Sequence, residues 1–151
     1  MRQANRNDID VLVALMDEFY AEGGYALDRS MRHRRLQQSS TINRGHIWII
    51  QSEREDVGHI VLTLKYAIEY GGLGACVDDL YVRTSRRNNG LATAALVQVR
   101  RLCEGAGIRA LTVEVGHDNA PAQTVYRRIG FTEASGRQLL ALALAAPTHM
   151  T

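Results

Sequence analysis

The stretch Leu80–Leu96, LYVRTSRRNNGLATAAL, constrains the chain more than any other. Apolar Ala75–Val82 reads as a strand. It runs into the polar segment Arg83–Asn89 and then into a helix beginning at Gly90. Leu91, Ala94, Ala95, Leu96, Val99 and Leu102 recur inside that helix, and Gly105 and Gly107 stop it. A further apolar strand, Ala110–Val115, follows. Strand, loop, helix and strand in succession point to a layered α/β fold. The first turn of a helix has N–H groups without intrahelical partners and the positive end of the dipole, so this loop suits an anion, typically phosphate. Small residues at Gly90 and Ala92 let the backbone approach a ligand, and Arg87 can add a charge-assisted contact. Helix–sheet packing alone also favours small residues there. The dinucleotide fingerprint G-x-G-x-x-G is absent, and so is the P-loop.

The remaining elements fit around this unit. Asn7 or Asp8 can cap a helix carrying Ile9, Leu12, Leu15, Met16 and Phe19, which Gly23–Gly24 ends, and Met1–Ala4 before it can form an edge strand. A second helix is expected over Asp28–Ser39. Ile47–Gln51 and Val57–Tyr66 read as a hairpin around the polar turn Glu53–Asp56, and Gly71–Gly74 turns the chain into Ala75–Val82. Asp118 or Asn119 caps a helix reaching Ile129, with Pro121 in its first turn and Gly130 ending it. Phe131–Glu133 and Leu139–Ala145 are expected as the last strands. The chain has 151 residues without an internal repeat or linker, which is the size of one domain.

Composition excludes several classes. The longest apolar run, Leu139–Ala146, is too short to span a membrane, and no secretory signal is expected from Met1–Arg6. Cys76 and Cys103 are too few for a disulfide scaffold and lack metal spacing, as do the five histidines, so no metal and a cytoplasmic setting are expected. The Arg29–Arg35 segment is basic. The net charge is only +2 and no aromatic stacking motif accompanies it, so nucleic acid is not an expected partner.

A second constellation is Asn119–Phe131, NAPAQTVYRRIGF. Asn119 and Tyr126 lie two turns apart near one face of a helix. Tyr126 carries a phenol that stays protonated at neutral pH and can donate a proton; an amphipathic core position would equally take a tyrosine. Together, Arg87-x-x-Gly90-x-Ala92 and Asn119-x-x-Ala122-x-x-x-Tyr126-x-x-x-Gly130-Phe131 resemble the GNAT superfamily of acyl-CoA-dependent N-acetyltransferases. The first matches its R/Q-x-x-G-x-G/A loop and the second its N-x-x-A-x-x-x-Y-x-x-x-G-F helix. The resemblance covers nearly the whole chain, though the last twenty residues carry no family motif.

The resemblance implies a mixed α/β fold of one domain over residues 1–151, with a splayed central sheet of six to seven strands and about four helices. It implies acetyl-CoA as co-substrate. The pantetheine arm would lie along Leu80, Tyr81 and Val82, and the pyrophosphate on the amides of Arg87, Asn88, Asn89, Gly90, Leu91, Ala92 and Thr93. Asn119 would touch the cofactor, and Tyr126 would protonate the departing thiolate. The other partner is an amine acceptor. Its proton needs a carboxylate base, directly or through water. Strand parity places Asp78 on a face with Cys76 and Leu80 and Asp79 on the other, which favours Asp78 as the base. Asp79, Glu69, Tyr70 and Tyr25 are expected to line the acceptor pocket, with Glu18, Tyr20 and Glu22 nearby; this acidic and aromatic set suits a cationic amine. A catalytically silent acyl-CoA sensor is the alternative. Oligomeric state is open, with a homodimer one option.

Overall fold

The computed structural model describes residues 1–24, 29–38, 46–134, 136 and 139–142. Its sheet contains Arg2–Gln3 (β1), Ile47–Ser52 (β2), Glu55–Ala67 (β3), Gly72–Val82 (β4) and Ala110–Val113 (β5), side by side in chain order. The first four are antiparallel neighbours, and β5 joins β4 in parallel. Helices Ile9–Glu22 (α1) and Arg29–Gln38 (α2) precede β2, Leu91–Gly105 (α3) links β4 to β5, and Ala120–Ile129 (α4) follows β5.

Alternation along the strands builds two cores. On one face Ile47, Ile49 and Val61 pack against Ile9, Leu12, Val13 and Met16 of α1 and Leu36 of α2. On the other, Ile60, Leu62, Ala75 and Val77 pack against Leu96, Val99 and Cys103 of α3 and Tyr126 of α4. Cys103 is therefore core, and burial pushes its thiol pKa up.

Several boundaries move from the sequence reading for local reasons. Asp8 stands at the N-cap of α1 but makes no side-chain cap bond there; Asn5 caps the short turn Arg6–Asp8 before it, its side chain accepting from the Asn7 amide while Asp8 accepts from the Asn5 amide. Both Asp8 oxygens also receive Arg2 at 2.8 Å, and this guanidinium holds the Asp8 carboxyl below the usual range. Glu53 and Arg54 both adopt positive φ, so the hairpin turns in two residues and β3 starts at Glu55. Gly58 is required where β3 meets β4, since a Cβ there would lie 2.1 Å from the Tyr81 carbonyl oxygen.

The sheet is smaller than the resemblance implies, with five strands among the described residues. Phe131–Glu133 forms no strand. Phe131 instead packs edge-on against Tyr126, ring centroids 5.5 Å apart, and its amide donates to the Tyr126 carbonyl. Residues 139–142 are not strand either, and residues 143–145 of the expected last strand lie outside the described residues.

Candidate active site

Strands β4 and β5 part company halfway along β4. Pairing with β5 runs from Gly74–Ala110 to Val77–Val113 and stops, while β4 continues through Asp78, Asp79, Leu80, Tyr81 and Val82. Asp79 to Val82 still pair with β3 on their other side. Their outer backbone edge has no β5 partner and can accept an extended ligand as a strand would.

A bulge sits at the point of separation. Val61 pairs with Asp79 and Leu62 with Val77, so Asp78 is the extra residue, without a cross-strand partner. This overturns the parity argument. Cys76 pairs with Thr63 on the α1 face, whereas Leu80 pairs with Ile60 on the α3 face, so the two do not share a side. Asp79, opposite Val61, faces α1. Asp78 interacts with the Thr63 side chain and is thus drawn to the same side as Asp79. Both carboxylates are on hand at the bulge.

Their environments differ. Asp78 is reached by solvent, yet partial loss of hydration raises its carboxyl pKa. The charges of Asp79 and Glu114 push the same way, and the Thr63 hydrogen bond pulls back. Asp79 is less accessible. The Tyr20 hydroxyl lies 3.4 Å from one of its oxygens, and His59 Nε2 lies 3.7 Å from the same atom. Glu114, just past the end of β5, and Thr63 are site residues that the sequence reading did not single out.

Tyr126 reaches this gap from α4. It is buried, and burial raises its phenol pKa to about 12, with the Cys76 and Asp79 charges adding to the shift. The residue thus feels side chains that approach from the opposite face of the sheet. Among the described residues its hydroxyl has no hydrogen-bond partner, so it is a proton donor without a committed acceptor.

The anion-binding end has a matching geometry. Gly90 precedes α3 with φ +73°, and a Cβ there would meet nothing within 4 Å. No side chain caps α3, so the amides of Leu91, Ala92 and Thr93 have no intrahelical partner. Asn88 also has positive φ, and the Asn89 side chain ties back to the Arg86 and Arg87 carbonyls. Arg87 itself turns away. Its Nη2 lies 2.6 Å from Glu22, its Nε donates to the Val82 carbonyl, and its guanidinium stands 5.6 Å over the Tyr81 ring.

The α1 acids are engaged in the same network. Glu18 pairs with Arg83, and the Tyr81 hydroxyl lies 3.1 and 3.2 Å from Glu18 and Glu22. Burial and these two carboxylates raise the Tyr81 pKa. Asn119 caps α4, accepting from the Ala122 amide. Glu69 and Tyr70 occupy the short turn Ile68–Tyr70 at the tip of the β3–β4 hairpin. From Gly72, next to that tip, to Asp78 is about 20 Å of strand at roughly 3.3 Å per residue, so the structure does not bring them to the bulge. Tyr25 lies outside the described residues. No helix among the described residues is long and apolar enough to cross a membrane.

The model of the Acetyltransferase (GNAT) family matches residues 11–131, and the chain belongs to that family. An integron cassette protein from the mobile metagenome of Cole Harbour Salt Marsh is 44% identical with a TM-score of 0.83, covering 99% of this chain and 93% of its own. A predicted acetyltransferase from Clostridium acetobutylicum, with acetyl-CoA, has 17% identity and a TM-score of 0.74, over 93% of this chain and 94% of its own. An aminoglycoside antibiotic 6'-N-acetyltransferase from Acinetobacter haemolyticus has 12% identity and a TM-score of 0.72, over 95% of this chain and 98% of its own. These last two share the fold. No curated protein matches the chain.

Proposed function

We propose that the chain moves an acetyl group from acetyl-CoA directly to a primary amine of a small cationic acceptor. The observation that carries this reading is the open edge of β4 past Val77, which leads into the uncapped first turn of α3 and has Tyr126 across the gap. The co-substrate's three parts find three kinds of group here. The extended pantetheine amide chain suits the free edge at Leu80–Val82. The pyrophosphate suits the first-turn amides after Gly90, where the absence of a Cβ leaves room. The thioester then falls between the bulge and Tyr126.

Each proton has a named carrier. An alkylammonium must lose a proton before it can attack, and Asp78 takes it, its raised pKa making it a better base than an ordinary aspartate. Asp79 holds the ammonium in place. As the tetrahedral intermediate collapses, the carbon–sulfur bond breaks and the thiolate takes the Tyr126 proton. The nitrogen loses its remaining surplus proton through the carboxylates to water, and the phenolate regains one from solvent. A backbone N–H near Leu80 can polarise the thioester carbonyl. No step requires Cys76.

A thiol-release screen with acetyl-CoA against a panel of primary amines tests the reading. Release that depends on a cationic amine, together with acetylated product by mass spectrometry, supports it. Tight acetyl-CoA binding without turnover of any amine would instead make the chain an acyl-CoA sensor.

A further inference from the structure

His59 is a buried titratable group that the proton transfers above leave idle. It lies on β3 with no solvent exposure, and neither ring nitrogen has a hydrogen-bond partner among the described residues. Phe19 stands edge-on to the ring at 6.0 Å, and Tyr81 lies at 5.9 Å. A neutral imidazole always carries one N–H, and leaving it unsatisfied in a core costs about 1–3 kcal/mol. A position that only needed filling is served better by an apolar side chain. The exception to this isolation is directional: Nε2 points at Asp79, 3.7 Å from its Oδ2, half an ångström or so beyond hydrogen-bond range. Tyr20 approaches the same oxygen at a similarly loose 3.4 Å. Two donors thus approach the carboxylate from the interior, His59 facing Oδ2 and the Tyr20 hydroxyl lying 3.4 Å from Oδ2 and 3.5 Å from Oδ1, and each carboxylate oxygen keeps a further lone pair with which to hold a ligand.

We propose that His59 is a positioning residue for the acceptor: in its Nε2–H tautomer it anchors Asp79 from below, with Tyr20, and so fixes the carboxylate that binds the substrate ammonium. The inference rests on the acetyltransferase reading for the identity of that ligand. Ile49 of β2 lies opposite His59, and the α1 carboxylates Glu18 and Glu22 are engaged by Arg83 and Arg87. For Nε2–H to bond Asp79, their separation of 3.7 Å has to shorten by about half an ångström.

Glutamine can place its amide nitrogen where Nε2 stands, and asparagine cannot reach that far. His59→Gln should therefore keep the acceptor KM within about threefold of wild type, while His59→Asn raises it about tenfold. Acetyl-CoA affinity, by calorimetry, should be unchanged in both, and kcat should move less than KM. Equal KM values in wild type and both variants would overturn the inference alone, whereas a wild type inactive on every amine would overturn the acetyltransferase reading as well. Nitrogen-15 NMR of histidine-labelled wild type gives an answer even if neither variant folds. An Nε2–H tautomer that is perturbed in Asp79→Asn supports the pair, and an Nδ1–H tautomer, with its proton away from Asp79, rejects it.

Discussion

Arg87 Nη2 sits 2.6 Å from the Glu22 carboxylate and so ties the loop before α3 to the last turn of α1. The family's loop arginine is therefore held by a carboxylate. For Arg87 to meet a pyrophosphate it must exchange one anion for another, and the binding free energy is reduced by the contact given up.

Glu22→Gln should consequently tighten acetyl-CoA binding by about threefold, since a half-exposed ion pair is worth roughly 0–1 kcal/mol. Arg87→Ala should weaken it. The hydrogen bond from Arg87 is the main cause of a Glu22 pKa below the usual glutamate range, with burial opposing it. A depressed folded-state pKa gives stability that is present above the unfolded value and is lost as pH falls through the folded one. The stability difference between wild type and Glu22→Gln, from urea unfolding, should therefore be larger at pH 7 than at pH 3.

Gly90 has positive φ and open space where a side chain would point. Gly90→Ala should lower stability by about 1 kcal/mol from backbone strain, with a modest effect on binding. Gly90→Val should go further and weaken acetyl-CoA by at least tenfold, about 1.4 kcal/mol, because its branches fill the approach to the helix amides. Calorimetry on the folded variants checks both; equal affinities would move the pyrophosphate elsewhere.

Tyr126→Phe retains the ring packed against Phe131 and removes only the hydroxyl. Acetyl-CoA affinity should stay near wild type, and kcat should fall by about 10²-fold or more, the usual range for a general acid. With its pKa raised to about 12, the phenol stays protonated through the assay range. The wild-type rate should therefore show no alkaline loss attributable to Tyr126 below about pH 11. An unchanged kcat would leave solvent as the proton donor.

Elements with a strong period were legible in the sequence. The helices at Ile9, Leu91 and Ala120 and the strands that form β2 to β5 announced themselves by apolar spacing and by glycines at their ends. The loop at Gly90 and the Tyr126 helix could be recognised because their chemistry depends on local backbone and fixed spacing. What depends on register between strands could not be seen. Parity counting assumes a regular ladder, and the extra residue at Asp78 breaks it. Two adjacent acids in a half-buried strand were the available signal that the ladder was irregular there. His59 looked ordinary because Asp79, 3.7 Å from its Nε2, comes from the neighbouring strand, twenty residues on. Arg87 and Glu22 stand 65 residues apart, so no local pattern joins them. The apolar content of Leu139–Ala145 suggested a strand, but in the described part, residues 139–142, apolar character alone supplies no partner.

The two aspartates at the bulge should divide their labour in a way that pH profiles can read. Asp78 has a carboxyl pKa raised by lost hydration and by the charges of Asp79 and Glu114, so the acid limb of the kcat/KM profile should lie above the ordinary aspartate value of about 3.9. Asp78→Asn keeps shape and hydrogen bonding but cannot accept the amine's proton. Its rate should fall most at neutral pH and recover in part at alkaline pH, where more acceptor is already neutral. Thr63→Val removes the hydrogen bond that lowers the Asp78 pKa and should shift the acid limb upward. Asp79→Asn removes a like charge, so any activity that remains should show the limb displaced to lower pH, together with a raised acceptor KM. These opposite shifts identify which carboxylate is titrating. If Thr63→Val leaves the limb in place while Asp79→Asn abolishes it, Asp79 is the base and Asp78 its neighbour; if the limb survives in both aspartate variants, the proton passes to water or to Glu114.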